Sequence, residues 1–254
     1  MNDLESYFRN NDKRLINKFY HYFDVYERHF KKFRNQEITV LEIGVFKGGS
    51  LQMWKEYFGP RAKIYGVDID PECKKYEEDG IEIIIGSQTD RTFLRELKEK
   101  IPHLDILIDD GGHTMRQQII TFEELYDHID TNGVYLCEDL HTSYFLEYGG
   151  GHRRNGTFIE FSKQLVDKLN AYLSEENSLR PDSFTLSTNS VHFYTSMVVI
   201  EKGVNPKPES AKTGISNDTE TPNVQNSRRN WKYHVLFIIN KVLRYFKIRG
   251  FRWR

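Results

Sequence analysis

The strongest constraint on the fold is a repeated alternation of short apolar runs with helical segments between residues 37 and 138. Strands are predicted at Ile38–Gly44, Ala62–Asp68, Ile81–Ile85, Leu104–Asp109 and Gly133–Glu138. The helices between them are predicted to begin at Gly48, Pro71, Asp90 and Thr114. Because each strand is followed by a helix before the next strand, the pattern predicts right-handed βαβ units and a parallel sheet.

Two further strands are expected after the parallel part. A helix near Thr157–Leu173 comes first, and strands are then predicted at Phe184–Leu186 and Val191–Glu201. The four residues 187–190 between them are short enough for an antiparallel hairpin. The predicted fold class is therefore α/β, a Rossmann-like seven-stranded sheet that ends in a C-terminal antiparallel hairpin.

The segments around the sheet differ from it in composition. Residues 1–36 carry aromatic side chains at mixed helical spacings, so we expect a helical segment. It either packs on the domain or forms a wall over a pocket, with His21 and Tyr22 facing a ligand. Residues 37–202 form the sheet domain. Residues 203–227 are polar and rich in Pro, Ser, Thr and Asn, which is typical of a flexible linker.

Residues 228–254 form a basic tail. They hold nine of the 36 Lys and Arg residues and no acid, which leaves 27 basic against 37 acidic residues in the rest of the chain. A helix is predicted over Trp231–Arg249, with an apolar side opposite most of its cations, although Phe237 and Ile248 break this separation. We interpret the tail as a basic amphipathic helix for peripheral membrane contact. A solvated tail, a partner-protein helix and nucleic-acid contact are the alternatives.

Composition excludes several classes of protein. Hydrophobic residues make up 38% of the chain and aromatic residues 14%, which is typical of a globular domain. Cys73 and Cys137 are too few for a disulfide framework, so we expect a reducing compartment. We find neither an apolar leader nor a run long enough to span a membrane. The expected location is the cytoplasm, with the tail at the inner face of the membrane.

Carboxylates stand at the ends of two predicted strands. One strand is followed by Asp109-Asp110-Gly111-Gly112-His113, and another ends in Glu138-Asp139. Ligands of open α/β sheets bind outside the carboxyl ends of the strands, so the two groups would share one crevice. Such a crevice needs a cation, and a divalent metal is the obvious candidate. Alternatively, Asp109 and Asp139 cap the helices that follow, and His113 lies on the surface.

The ends of the first three strands carry residues typical of nucleoside binding: Glu42, Gly44, Gly48, Ser50, Asp68, Ser87 and Gln88. Glycines at the first strand-to-helix turn let a ligand approach backbone N–H groups. Asp68 ends the second strand, where an acid can hold ribose hydroxyls. Ser87 and Gln88 follow the third strand, where they could read an adenine edge. Glu42, an acid two residues before Gly44, suits a cationic ligand better than a pyrophosphate.

These residues resemble the class I S-adenosylmethionine-dependent methyltransferases. More narrowly, Glu42-Ile-Gly44, Gly66-Val-Asp68-Ile-Asp70, Asp109-Asp110-Gly-Gly-His113 and Glu138-Asp139-Leu-His-Thr-Ser-Tyr144 are similar to the metal-dependent sugar O-methyltransferases of the macrocin and mycinamicin type, whose wider family includes rhamnosyl O-methyltransferase and cephalosporin hydroxylase-like proteins. The resemblance covers about residues 15–201 and excludes the linker and the tail. It implies a methyltransferase sheet and S-adenosylmethionine as cofactor.

The resemblance also implies roles for the acidic crevice. Mg²⁺ is expected on Asp110, Glu138 and Asp139, His113 is expected to be the general base, and Asp109 is assigned to the cofactor side. Oxygen ligands favour a hard cation such as Mg²⁺, and a metal-bound hydroxyl is a stronger acid. The expected function is Mg²⁺-dependent methyl transfer to a sugar hydroxyl of a glycan or glycosylated metabolite.

Three other functions stay open at this point. A metal-dependent glycosyltransferase would use Asp68-Ile-Asp70 as a D-x-D motif, and a metal-dependent oxygenase would need histidine ligands beyond His113. A noncatalytic, membrane-tethered binding protein is the third. The partner is expected to be a small-molecule or glycan acceptor rather than a nucleic acid. The sequence leaves the acceptor, the hydroxyl position and the oligomeric state open, a homo-oligomer included.

Overall fold

The computed structural model describes residues 1–215 and 231–246. Seven strands run in chain order: β1 Thr39–Ile43, β2 Lys63–Asp68, β3 Ile81–Ile85, β4 Ile106–Asp109, β5 Val134–Cys137, β6 Thr188–Tyr194 and β7 Met197–Lys202. The α-helices of the described residues are α1 Asp3–Arg9, α2 Tyr22–Phe30, α3 Gly49–Phe58, α4 Arg91–Lys100, α5 Met115–Leu125, α6 Phe158–Leu169, α7 Ser183–Ser187 and α8 Trp231–Tyr245. A 3-10 helix at Pro71–Tyr76 links β2 to β3.

The strands form one sheet in the order β3-β2-β1-β4-β5-β7-β6. The first five strands are parallel, and β7 runs antiparallel to both β5 and β6. The predicted fold class, a Rossmann-like seven-stranded sheet with a C-terminal antiparallel hairpin, is confirmed. Since the strand order reverses at β1, the ends of β1 and β4 border the crevice where ligands of such sheets bind.

The strands of the hairpin differ from those predicted. Phe184–Leu186 lies in α7, and residues 188–190, predicted as part of the turn, begin β6. The reason is a helix cap: the Asp182 carboxylate accepts a hydrogen bond from the backbone N–H of Thr185 at 3.0 Å, which favours a helical turn over a strand. The hairpin turn falls instead at Thr195 and Ser196, between Tyr194 and its partner Met197.

The N-terminal segment is helical only in part. Helices α1 and α2 are separated by residues 10–21, which form neither helix nor strand, so the prediction of a helical 1–36 is wrong there. The Asn11 side chain donates to the Arg14 carbonyl at 2.8 Å and accepts from the Lys13 N–H at 3.1 Å. Local bonds of this kind compete with the hydrogen bonds of a helix. The chain therefore leaves the helical path and crosses the carboxyl edge of the sheet.

Successive strand residues alternate between two hydrophobic cores, one on each face of the sheet. Val40 belongs to the core that α2 and α3 complete with large aromatic side chains, including Phe30 and Trp54. Leu41 belongs to the opposite core, which α4, α5 and α6 complete. Cys137 is buried in this second core, as expected of a small apolar side chain in a strand. Burial on both faces fixes the register and so the position of each strand end.

The chain divides into two compact units, Met1–Pro208 and Glu209–Arg254. Residues 203–215, the described part of the predicted linker, contain no helix or strand. Helix α8 covers most of the predicted tail helix, whereas the predicted linker beyond residue 215 and the tail beyond residue 246 lie outside the described residues. The division into the four segments 1–36, 37–202, 203–227 and 228–254 stays a prediction. Within the described ranges, no helix is both long and apolar enough to cross a bilayer.

A buried histidine joins α2 to the hairpin. His29 contacts the Glu201 carboxylate through Nδ1 at 2.8 Å and the Tyr194 hydroxyl through Nε2 at 2.9 Å, and its side chain is 2% exposed. Burial lowers the pKa of His29, and the hydrogen bond that its Nδ1–H donates to Glu201 offsets this only in part. The neutral imidazole is therefore the form that the folded chain prefers.

Acid should weaken the folded state through this residue. Below the unfolded histidine pKa of about 6.5, the unfolded chain takes up a proton that folded His29 resists, so stability falls as the pH falls. We expect His29→Gln to cost about 1–2 kcal/mol at pH 7.5 and to flatten the decline in the free energy of unfolding between about pH 6.5 and 5. Urea unfolding across this range tests it, with the exposed His152→Gln as control. Parallel profiles for wild type and His29→Gln would contradict the assignment.

Candidate active site

A cavity of about 600 Å³ opens at the carboxyl ends of the parallel strands. Eight of the predicted site residues line it: Gly44, Ser50, Asp68, Ser87, Gln88, Asp110, His113 and Asp139. Its size is ordinary for a site that holds a cofactor-sized ligand. The N-terminal segment forms part of the wall through Leu15, Ile16, Asn17 and Lys18, which the sequence analysis did not single out.

Four other predicted residues lie behind the cavity wall. Glu42, Asp109 and Glu138 are at most 1% exposed. Gly48 packs against Tyr76, whose Cβ would lie only 2.8 Å from a Cβ added at this position, closer than van der Waals contact allows. Glu42 accepts a hydrogen bond from the Ser50 hydroxyl at 2.7 Å and so holds a side chain that does line the cavity. These four residues therefore do not line the cavity themselves but support the residues that do.

Gly44 forms the turn after β1. Its φ of +99° is in the left-handed region, and a Cβ there would clash with the carbonyl oxygen of Asp110. The Gly44 N–H donates to the Val67 carbonyl at 2.8 Å, while the Asp110 N–H donates to the Ile43 carbonyl at 2.9 Å. The close approach of these two backbones sets the distance between the cofactor side and the acidic side of the cavity.

The two acids of the Asp68-Ile-Asp70 motif bond to nearby backbone. Asp68 accepts hydrogen bonds from the N–H groups of Val45 at 2.9 Å, Phe46 at 3.1 Å and Asp70 at 3.0 Å. Burial acts to raise the pKa of Asp68, but these N–H groups outweigh it and hold the pKa below its usual value. Asp70 caps the 3-10 helix by accepting from the Glu72 N–H at 2.9 Å. These bonds disfavour a D-x-D nucleotide-sugar motif.

Asp109 and Gln88 form a hydrogen-bonded pair between the cofactor side and the acidic side of the cavity. The Gln88 amide donates to Asp109 Oδ1 and Thr121 Oγ1, both at 3.1 Å, and its oxygen accepts from the Gly112 N–H at 2.8 Å. Burial raises the pKa of Asp109 to about 7, and the hydrogen bond from Gln88 limits the rise. Gln88 therefore connects the end of β3 to the glycine turn that precedes His113.

Asp110, His113 and Asp139 form the acidic side of the cavity. His113 Nε2 lies 3.6 Å from Asp139 Oδ2 and 3.9 Å from Asp110 Oδ1. One ligand atom from each residue falls within 4.8 Å of the others, a spacing suited to a metal ion. The Tyr22 hydroxyl donates to Asp139 Oδ1 at 2.8 Å, which leaves Oδ2 turned toward His113. His113 Nδ1 is buried and has no hydrogen-bond partner within the described part of the chain.

The backbone is strained at two of these residues. His113 has a φ of +56° and Asp139 a φ of +55°, which non-glycine residues rarely adopt. The buried Thr142 hydroxyl lies 2.9 Å from the His113 carbonyl and 2.8 Å from that of Asp139, so it can donate to either. Strain held in place by such contacts is typical of functional sites. Thr142 therefore ties together the two turns that present His113 and Asp139.

Glu138 points away from this trio toward the N-terminal segment. Its Oε1 accepts from the Tyr26 hydroxyl at 2.7 Å and its Oε2 from Lys18 Nζ at 2.8 Å. Lys18 Nζ also donates to Asp110 Oδ2. Burial raises the pKa of Glu138, and the neighbouring Asp110 raises it further. The structure therefore brings Asp110 and Asp139 together at the predicted metal site, and ties Glu138 to two residues that the sequence analysis missed.

Lys18 is a cation that the sequence analysis did not identify. The crowded carboxylates predict a cation beside them, and Lys18 supplies one within the chain itself. Burial by itself would lower the pKa of Lys18, but Asp110, Glu138 and Glu42 raise it well above its usual value, so the side chain is an ammonium. Lys18 and Asp110 are 92 residues apart in the sequence, and no spacing rule predicts a contact between such positions.

The fold and the cavity define the class. Five parallel strands, an antiparallel final pair and a ligand cavity at the β1–β4 switch point are the architecture of the class I S-adenosylmethionine-dependent methyltransferases. No protein-family model matches the chain. Individual proteins do match. The chain is 37% identical over 191 residues to demethylmacrocin O-methyltransferase of Streptomyces fradiae, covering 71% of this chain and 48% of the relative.

Two further comparisons agree. Mycinamicin VI 2''-O-methyltransferase of Micromonospora griseorubida is 35% identical over 199 residues, which is 74% of this chain and 49% of the relative. The solved structure of MycE methyltransferase in complex with Mg, SAH and mycinamycin VI superposes with a TM-score of 0.72 at 31% identity, over 85% of this chain and 56% of that one. The predicted resemblance to macrocin- and mycinamicin-type sugar O-methyltransferases is confirmed. The chain spans about half the length of these relatives.

The close approach at Gly44 should make it intolerant of any side chain. We expect Gly44→Ala to lower the free energy of unfolding by about 3 kcal/mol, because the methyl group meets the Asp110 carbonyl and φ is unfavourable. Gly156→Ala is the matched control, since Gly156 also has a positive φ, +86°, but nothing within 4 Å of the added Cβ. Denaturant unfolding of both variants measures the difference. Equal losses would show that the contact with Asp110 is unimportant.

Proposed function

We propose that this chain transfers the methyl group of S-adenosylmethionine to a sugar hydroxyl with the help of a divalent cation, Mg²⁺ by preference. The observation that carries the proposal is the convergence of Asp110, His113 and Asp139 at one side of a cavity whose other side is built from the ends of β1, β2 and β3. Carboxylates, an imidazole and residues typical of nucleoside binding thus line one cavity. The similarity to sugar O-methyltransferases supports this reading.

The cofactor is assigned to the side formed by Gly44, Ser50, Asp68, Ser87 and Gln88. The Gly44 turn leaves backbone exposed to the cavity, and the acids nearby attract a sulfonium cation. Asp68 also has its carboxylate held in place by backbone N–H groups at the end of β2. Behind them, Glu42, Gly48 and Asp109 keep the roles of supporting residues in this proposal.

The residues at the acidic side fit a divalent ion. Glu42, Asp110, Glu138 and Asp139 bring four carboxyl groups to one region, which Lys18 neutralises only in part. Carboxylate oxygens are the ligands that Mg²⁺ prefers. Asp110 and Asp139 would hold the ion, with Glu138 as the third carboxylate. When bound, the ion lowers the pKa of a coordinated hydroxyl and orients it.

His113 is assigned as the general base. Its Nε2 faces Asp110 and Asp139, where the acceptor hydroxyl would lie, and can take the hydroxyl proton. The hydroxyl oxygen then bonds to the methyl carbon while the carbon–sulfur bond breaks and its electron pair stays on sulfur. The products are a methyl ether and S-adenosylhomocysteine. Thr142 and Tyr22 position His113 and Asp139 for this step.

The acceptor class rests on the relatives and is coarser than the chemistry. One relative is named for the 2'-O position of an alpha-L-rhamnosyl tetracenomycin and another for the 2''-O position of mycinamicin VI. We therefore propose a 6-deoxysugar glycoside as acceptor. Whether the chain acts as a homo-oligomer is a separate proposal, and gel filtration with light scattering tests it.

Removing the proposed base should slow methyl transfer strongly without weakening the binding of S-adenosylmethionine. We expect His113→Ala and His113→Gln to lower kcat about 10²–10⁴-fold, because the hydroxyl loses its proton acceptor. S-adenosylmethionine affinity, measured by isothermal titration, should stay within about twofold of wild type, because the change touches only the acidic side. Transfer of a labelled methyl group to a panel of rhamnosyl glycosides gives the rate. Exposed His152→Gln is the control.

The same assay separates the rival functions. Chelation with EDTA should abolish transfer, and Mg²⁺ should restore it. Full activity in EDTA or in His113→Ala would rule out the metal or the base, respectively. Tight binding of a UDP-sugar with none of S-adenosylmethionine would instead favour the glycosyltransferase.

The tail carries a second, independent proposal, peripheral membrane contact. In α8, Val235, Ile238, Ile239 and Val242 recur at helical spacing on one side and are all exposed, as is Lys241. An apolar face flanked by cations is typical of helices that lie in a membrane interface with anionic lipid. Such contact would suit an acceptor that is carried on a lipid.

Disrupting the apolar face should release the chain from anionic vesicles. We expect Ile238→Gln/Val242→Gln to weaken binding to phosphatidylglycerol vesicles more than about 30-fold, because two apolar side chains leave the interface. Lys241→Gln should weaken it only about fivefold, an effect that disappears in high salt. Vesicle sedimentation measures both. A 1–208 fragment that sediments as the full chain does would exclude the tail as the anchor.

A further inference from the structure

Lys18 occupies a position inside the acidic site. It belongs to residues 10–21, the non-helical part of the N-terminal segment, and its side chain is only 2% exposed. Nζ contacts Asp110 Oδ2, lies 2.8 Å from Glu138 Oε2, and is 3.6 Å from Glu42 Oε1. One ammonium thus touches both a residue that would hold a metal on the cavity side and the buried carboxylates behind it.

The oxygens of these carboxylates are divided between two sides. The N-terminal segment occupies both oxygens of Glu138, Oε2 through Lys18 and Oε1 through the Tyr26 hydroxyl at 2.7 Å. Asp110 Oδ2 accepts a hydrogen bond from Lys18 Nζ, while Asp110 Oδ1 lies 3.9 Å from His113 Nε2. A cation bound by Asp110 and Glu138 therefore has to share these carboxylates with an ammonium that is already in contact with them.

We propose that Lys18 is a built-in counter-cation that limits the affinity of the site for divalent ions. It shares Asp110 and Glu138 with the metal, so it weakens metal binding through repulsion and through competition for carboxylate oxygens. This rests on the proposed function only in placing a divalent ion at these carboxylates. In return, Lys18 partly neutralises the carboxylates in the metal-free chain, where unpaired buried charges would be strongly destabilising.

Lys18 also links the acidic site to the position of the N-terminal segment. Neighbouring Leu15, Ile16 and Asn17 line the cavity beside Ile43 and Gly44. The segment that holds the ammonium therefore also forms a wall of the cofactor side. Any movement that withdraws Lys18 from the carboxylates changes the cavity wall at the same time, so metal affinity and cofactor affinity should be coupled through this segment.

The test measures metal binding without turnover. Full-length wild type, Lys18→Met and Lys18→Arg are titrated with Mn²⁺ by electron paramagnetic resonance and with Mg²⁺ by calorimetry, in the absence of cofactor and acceptor. We expect Lys18→Met to tighten the divalent Kd at least about tenfold, because the repelling charge is gone and the oxygens are free. Lys18→Arg should stay near wild type. Lys13→Met, an exposed lysine of the same segment that pairs with Glu56 at 3.4 Å, is the control for the change in net charge.

Thermal unfolding supplies the second readout. In EDTA, Lys18→Met should have a lower Tm than wild type, and saturating Mg²⁺ should raise the Tm of Lys18→Met by more than that of wild type. Where Lys18→Met needs Mg²⁺ in order to fold, Lys18→Gln keeps a hydrogen-bond donor without the charge, and the same titrations apply to it.

The outcomes separate the two proposals. A lower Tm with an unchanged or weaker divalent Kd in Lys18→Met and Lys18→Gln would overturn the role of Lys18 and leave it a structural ion pair, while the metal site itself would stand. No divalent binding by wild type or any variant would overturn the metal assignment, and the role of Lys18 with it. Tightening in Lys13→Met equal to that in Lys18→Met would attribute the effect to net charge and also overturn the proposal.

Discussion

Mutual repulsion among carboxylates at one edge of the sheet is the constraint on which the site depends. Parallel strands end at the same edge, so β4 and β5 necessarily bring Asp110, Glu138 and Asp139 together, and Glu42 lies just behind the end of β1. These groups are partly or fully buried, where the interaction between charges is strong. A fold that places acids there must also supply cations and hydrogen-bond donors, and the surroundings of the cavity supply both.

The N-terminal segment supplies most of these partners. Lys18 contacts Asp110 and Glu138, Tyr26 donates to the second oxygen of Glu138, and Tyr22 donates to Asp139. The aromatic residues of α2 thus have two uses, since their rings fill a core while two of their hydroxyls hold carboxylates. This arrangement explains why a segment outside the sheet contributes a wall of the cavity. It also links the packing of the first 36 residues to the electrostatics of the site.

The site is held by contacts that cross between turns. Gln88 connects the end of β3 to the glycine turn after β4, and the Thr142 hydroxyl lies within hydrogen-bond distance of the carbonyls of both His113 and Asp139. One buried hydroxyl is thus shared between the two strained residues. The spacing of Thr142 after Asp139 is visible in the sequence, but its contact with the His113 carbonyl is not. The same applies to Tyr22, whose hydroxyl bonds to a carboxylate 117 residues away.

The sequence by itself determined the order of strands and helices, the parallel sheet with its terminal hairpin, and the acids at the strand ends, because hydrophobic periodicity and strand polarity are local properties. It misplaced the hairpin strands and the N-terminal helix, where Asp182 and Asn11 side chains redirect the backbone. Only the tertiary structure decided which cation meets those acids. Lys18 lies far from them in sequence, and a charge–charge contact leaves no periodic pattern, so the partner appears only when the chain is folded.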